Sequence, residues 1–172
     1  MKASFAALTV LSLVAVPLAA QKPDFSGTWK LNTELSDPMG GPGGGGGGGG
    51  GGGRGMGGGG GRASELSITQ TAAKLVIEMK IGENTRTTTY NLDGSESRNP
   101  GMRGAETVSK AMWDGNSLMV MSETNMSTPN GDMKISSHEV RSLSADGKQM
   151  TIVTTSTTPQ GERTRKQVYD KQ

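Results

Sequence analysis

Cysteine is absent from the chain. That excludes a disulfide framework, a thiol nucleophile and any thiolate-bound metal. Histidine occurs once, as His138, so no histidine pair is present to hold a metal ion. Its neighbours Ser136, Ser137 and Glu139 do not form a local Ser–His–acid relay, because adjacent strand residues point to opposite faces. His138 reads as a solvated side chain on a polar face. Aromatic residues make up only 3 % of the sequence. A large excess of one charge is also missing: 18 basic residues face 16 acidic ones, and loss of Lys2 would leave 17. That balance gives no electrostatic case for nucleic acid or an anionic membrane as partner. No G-x-S-x-G elbow, phosphate-binding glycine loop or calcium loop is present. The expectation is a non-enzyme without cofactor or metal.

A long apolar stripe of helical period is likewise missing after residue 63. The one sustained apolar run lies at the start, from Phe5 to Val16, behind Lys2 and ahead of Pro17-Leu18-Ala19-Ala20. This is the pattern of a secretory signal over residues 1–20, and the run is short for a membrane-spanning helix. The expected location is therefore outside the cytoplasm, periplasmic or extracellular, with no integral membrane segment in the mature chain. An exported domain without disulfides must be held by its hydrophobic core.

What the sequence has in abundance is glycine. Residues 40–61 hold 19 of the 28 glycines, interrupted only by Pro42, Arg54 and Met56. Such a segment buries almost no side chain to offset the entropy of ordering it. A disordered loop is expected there, roughly 25 Å across as a flexible coil. It separates residues 21–39, which carry the first strand, from residues 62–172, the remainder of the same single domain.

From Ser64 onward the period is two. Leu75, Ile77, Met79 and Ile81 share one face and Lys74, Glu78 and Lys80 the other, the mark of a half-buried strand. Leu66 with Ile68, then Thr85–Leu92, Thr107–Trp113, Ser117–Asn125, Met133–Leu143, Met150–Thr157 and Glu162–Tyr169 continue the series. Asp93-Gly94, Asp114-Gly115, Asn130-Gly131 and Asp146-Gly147 lie between them as hairpin turns. With Gly27–Leu31, this predicts about nine antiparallel strands in an up-and-down meander. Closure into a barrel removes the two exposed edges. The threonine runs 85–89 and 154–158 supply little apolar area, so a partly open barrel is the alternative.

Phe25-Ser26-Gly27-Thr28-Trp29-Lys30-Leu31 resembles the opening strand of the calycins, the lipocalins and fatty-acid-binding proteins, where a G-x-W motif starts the barrel. Val168-Tyr169-Asp170-Lys171 resembles the last strand of the fatty-acid-binding proteins. Ser109-Lys110-Ala111, Trp113-Asp114-Gly115 and the hairpin Ser142–Lys148 are similar to segments of small exported bacterial lipocalin-like proteins. The resemblance implies a lipocalin-like barrel in which Gly27 and Trp29 are structural anchors and Trp29 plugs one end. A basic residue of the last strand, Arg163 or Arg165, would cover that ring. It also implies a carboxylate-gripping R-x-Y pair; Tyr169 matches the tyrosine, but Gln167 stands at the arginine position. The helical lid of those proteins is missing, and the glycine tract occupies its place.

Methionine is the remaining anomaly, with eight beyond residue 78. Thioether chains fill irregular core space or line adaptable apolar cavities. Met119-Val120-Met121 also puts two soft donors on one strand face, as a copper(I) site would, but the sequence has only one histidine and no cysteine to complete a shell. The expected ligand-facing residues are Met79, Tyr90, Met119, Met121, Arg165 and Tyr169. Together these features suggest a non-catalytic binding protein for a small apolar or amphipathic ligand. The other reading is a structural or protein-interaction β-domain of the cell envelope without a cavity.

Overall fold

The computed structural model describes residues 22–38, 63–81, 84–101, 104–128 and 131–172. The segments read as export signal and glycine tract lie outside them. Ten strands follow one another: β1 Gly27–Asn32, β2 Glu65–Gln70, β3 Lys74–Ile81, β4 Asn84–Asn91, β5 Glu96–Pro100, β6 Glu106–Asp114, β7 Ser117–Thr128, β8 Gly131–Leu143, β9 Gln149–Thr158 and β10 Gly161–Lys171. They form a single sheet in the order β4-β3-β2-β1-β10-β9-β8-β7-β6-β5. Every hydrogen-bonded pair is antiparallel, and β1 pairs with β10 in the register Trp29↔Lys171, Leu31↔Tyr169. First and last strands therefore meet, and the meander curls into a nearly closed barrel of the lipocalin-like kind.

The seam lies between β4 and β5, which share no backbone ladder. Side chains do the joining. The Thr89 amide donates to Asn99 Oδ1 at 2.8 Å, and Asn99 Nδ2 donates to the Thr89 carbonyl at 2.9 Å. The Asn91 amide donates to Ser97 Oγ at 2.8 Å. An inward-facing asparagine thus imitates the two-way bond of a strand neighbour. Hydrophobic periodicity gives no sign of β5, whose residues Glu96-Ser97-Arg98-Asn99-Pro100 include no inward apolar side chain. Pro100 has no amide to donate and belongs at an edge.

Hairpin geometry follows the turn residues. Asp114 pairs with Ser117, which leaves Gly115-Asn116 as a two-residue loop, and Gly115 takes φ of 55°. A left-handed backbone there is what such a loop needs, and glycine adopts it at no steric cost.

One end of the barrel is sealed by the residues around β1. Phe25 and Trp29 are fully buried among Leu66, Ile68, Leu75, Ile77, Leu118 and Met150. Trp29 Nε1 donates to the Phe25 carbonyl at 2.9 Å, and the Phe25 ring stacks on Trp113 with centroids 6.0 Å apart. Gln70 pins the segment ahead of β1: its side chain accepts from the Phe25 amide and donates to the Pro23 carbonyl. The cation over the Trp29 ring is Lys171, its direct cross-strand partner, with Nζ 5.2 Å from the centroid. This corrects the expectation of Arg163 or Arg165, which sit further up β10, away from the sealed end. Gly27 lets the lysine lie flat, since a Cβ at that position would come within 2.9 Å of Lys171 Cε.

Candidate functional site

Above the sealed end the inner face changes character. In register across five strands stand Ser97, Ser109, Ser122, Ser137 and Ser156, with Arg163 opposite the last of them. Ser109 and Ser122 hydroxyls are hydrogen-bonded at 2.8 Å. One step higher, Thr107 and Thr124 repeat the pattern at 2.7 Å. Asn99 is the register partner of Thr107. Short hydroxylated chains bury little apolar area, so this half of the barrel contributes little of the apolar core.

Between the apolar and hydroxyl zones lies a buried ion pair. Arg141 of β8 is 6 % exposed and is flanked in register by Leu118 of β7 and Ile152 of β9. Its Nε donates to Glu139, two residues back on the same face. Its guanidinium carbon lies 6.0 Å from the Tyr90 ring of β4, across the barrel interior. Burial works against the Arg141 charge, but Glu139, Tyr90 and Tyr169 together outweigh it and raise the pKa above the ordinary arginine value. Burial, and then the Glu139 carboxylate, push the Tyr90 phenol up to about 12. Tyr90 is therefore a neutral donor at physiological pH.

Arg141 Nη1 is buried and has no acceptor. An unmatched charged donor in the interior is costly, on the order of 1–3 kcal/mol or more. The inner face of β10 also carries Arg165, half-buried opposite Thr154, and Arg163, exposed opposite Ser156, while β4 carries the half-buried Arg86 opposite Met79. Among the described residues, these guanidinium groups with the Glu139 carboxylate leave the inner face net positive.

The ligand-facing residues expected from sequence divide between two surfaces. Met79 and Tyr90 pack against the core, Tyr169 is buried with its hydroxyl donating to the Ala63 carbonyl at 3.3 Å, and Arg165 lies on the same inner face. Met119 and Met121 lie on the outer face, because Leu118 and Val120 between and beside them are the fully buried residues of β7. On that outer face a groove of about 650 Å³ spans β5 to β10, with Val108, Lys110, Met121, Glu123, His138 and Thr155 among its walls.

Arg141 was not among the residues singled out from sequence, and Glu139 entered only as a neighbour of His138. The signal was present: counting back in twos from the apolar Leu143 puts 141 and 139 on its face. What hid them is that charged residues at such positions normally mark the solvent side.

No protein-family model and no curated protein matches this sequence. Solved structures do. The apo structure of Caenorhabditis elegans lipid binding protein 8 superposes with a TM-score of 0.51 at 10 % identity, covering 86 % of this chain and 95 % of that one. Zebrafish ileal bile acid-binding protein complexed with cholic acid gives a TM-score of 0.47 at 16 % identity, covering 63 % and 72 %. At 10 % identity, the likeness to lipid binding protein 8 establishes the barrel fold alone.

Proposed function

We propose that the protein is an exported, non-catalytic carrier that holds a small amphipathic acid inside the barrel. The observation that carries this reading is Arg141 Nη1, a buried cationic donor left without a protein acceptor. A ligand carboxylate or sulfonate would supply the missing acceptor, in the charge-assisted geometry that guanidinium groups favour. Tyr90 stands beside it as a neutral phenol. The ligand body would lie along the serine row, with Arg165 and Arg163 toward the far end. The acid would displace part of the pairing to Glu139, so affinity depends on the interior remaining net positive. Export rests on the pattern of residues 1–20, and N-terminal sequencing of protein recovered from the periplasm or medium tests it.

Binding is tested with 8-anilinonaphthalene-1-sulfonate, an anionic amphiphile, against its uncharged relative N-phenyl-1-naphthylamine. Because Arg141→Met alone would strand Glu139, the variant to use is Glu139→Gln/Arg141→Met. The wild type should bind the sulfonate at least tenfold more tightly than the double variant, while the neutral probe distinguishes them little. Equal sulfonate affinity in both proteins would refute the Arg141 site. A wild type that binds neither probe would instead favour a structural β-domain, consistent with the apolar end being filled by its own side chains.

A further inference from the structure

On the outer face the sheet brings together the soft donors that the sequence scatters. Met112 of β6 stands directly opposite Met119 of β7, and Met121 of β7 stands directly opposite His138 of β8. Met119 and Met121, two residues apart, share that face. Directly opposed residues have Cβ atoms about 4.5–5.5 Å apart, and successive same-face residues are about 6.6–6.8 Å apart along the strand. The four therefore form a staggered line across three strands, with Met119 and Met121 in the middle and Met112 and His138 at its two ends. Methionine is flexible at three torsions, so its sulfur can swing toward a shared centre. Met121 is 44 % exposed and His138 is exposed, while Met112 and Met119 are half-buried. Met121 and His138 also wall the outer groove, which gives an ion a path in.

We propose that Met119, Met121 and His138, with Met112 as a further donor, form a binding site for a soft monovalent cation, copper(I) or its analogue silver(I). Thioethers and a neutral imidazole select such ions, whereas hard divalent cations favour oxygen ligands. The ligands carry no charge, so a singly charged ion costs less here than a doubly charged one. A borderline divalent ion would need several imidazoles or carboxylates, and among the described residues no group of three His, Cys, Asp or Glu side chains is gathered to hold one. His138 supplies the donor that Met119-Val120-Met121 lacks by itself, through a pairing visible only once β7 and β8 are in register. The site faces away from the barrel interior, so it stands or falls independently of the carrier reading.

The test uses the whole protein, with copper(I) partitioned against bathocuproine disulfonate and silver(I) titrated under methionine methyl NMR. One copper(I) per chain is expected, with affinity lowered at least tenfold in His138→Gln and in Met119→Leu/Met121→Leu. Met126→Leu/Met133→Leu, which removes the other cross-strand methionine pair, should leave it unchanged. Silver(I) should shift the methyl signals of Met119 and Met121 first. The substituted outer-face side chains are not core residues, and a thermal melt of each metal-free variant confirms folding. Failure of the wild type to hold copper(I) against the chelator overturns the site. So does undiminished affinity in either outer-face variant, or loss of affinity in the Met126/Met133 variant.

Discussion

The two ends of this barrel solve the problem of an interior in opposite ways. At one end Phe25, Trp29, Trp113 and the aliphatic residues of β2, β3, β7 and β9 fill the space with rings and branched chains. At the other, a serine row runs across β5 to β9 with a threonine pair beside it, and hydrogen bonds between hydroxyls tie β6 to β7. The first end generates stability, because burial of apolar area is the dominant favourable contribution to folding. The second contributes little of it but leaves polar, adaptable lining. Arg141 and Glu139 sit at the border, where a charge is near enough to polar groups to be tolerated and deep enough to matter.

If that division is right, substitutions at the two ends should differ sharply in cost. The largest effect is expected at Trp29: Trp29→Ala should lose about 3–5 kcal/mol, read from urea denaturation monitored by circular dichroism. A loss within experimental error would remove the ring from the core. At the border, Arg141→Met should cost about 3 kcal/mol by leaving the half-buried Glu139 carboxylate unpaired. Adding Glu139→Gln should restore most of that, and a double variant as unstable as the single one would show that packing, not charge, holds Arg141 in place.

At the seam, Asn99→Ala should cost about 1–3 kcal/mol, since Thr89 loses partners for both its amide and its carbonyl. Hydrogen exchange at Thr89 should accelerate, and unchanged protection there would mean that the seam is closed by something else. Tyr90 offers a check by pH. Its folded phenol keeps its proton to about 12 against an ordinary 10.0, so the folded state is favoured while the phenol stays protonated. The contribution is intact below pH 10 and declines as the pH climbs toward 12, and Tyr90→Phe should flatten that decline in alkaline melts. The smallest effect is expected in the hydroxyl zone. Ser109→Ala/Ser122→Ala removes both partners of one bond and should change stability by less than about 1 kcal/mol. A larger loss would blur the contrast between the two ends.

How far the sequence carried this picture follows the same division. Period-two apolar patterning in Leu66, Ile68, Leu75 and Ile77 marked strands and core together, and the Asp-Gly pairs marked turns. Trp29 and Gly27 were legible as anchors from the G-x-W segment. The strand β5 was not, because its inward residues Ser97 and Asn99 contribute hydrogen bonds rather than apolar area. Met119 and Met121 looked like cavity residues from composition alone, yet their face depends on which neighbours are buried, and Leu118 and Val120 take the interior. Lys171 over Trp29 required the β1–β10 register, in which position 171 rather than 163 or 165 stands opposite the ring. The site residues Arg141 and Glu139 were masked by the general rule that charges face water.

The central claim is that an acid binds inside the barrel against Arg141. A crystal structure of the full chain with dodecanoate tests it most directly. The carboxylate should lie within about 3 Å of Arg141 Nη1, with the chain enclosed by the strands. Dodecanoate seated in the outer groove beside Met121 and His138, or an interior unchanged at saturating ligand, would contradict it.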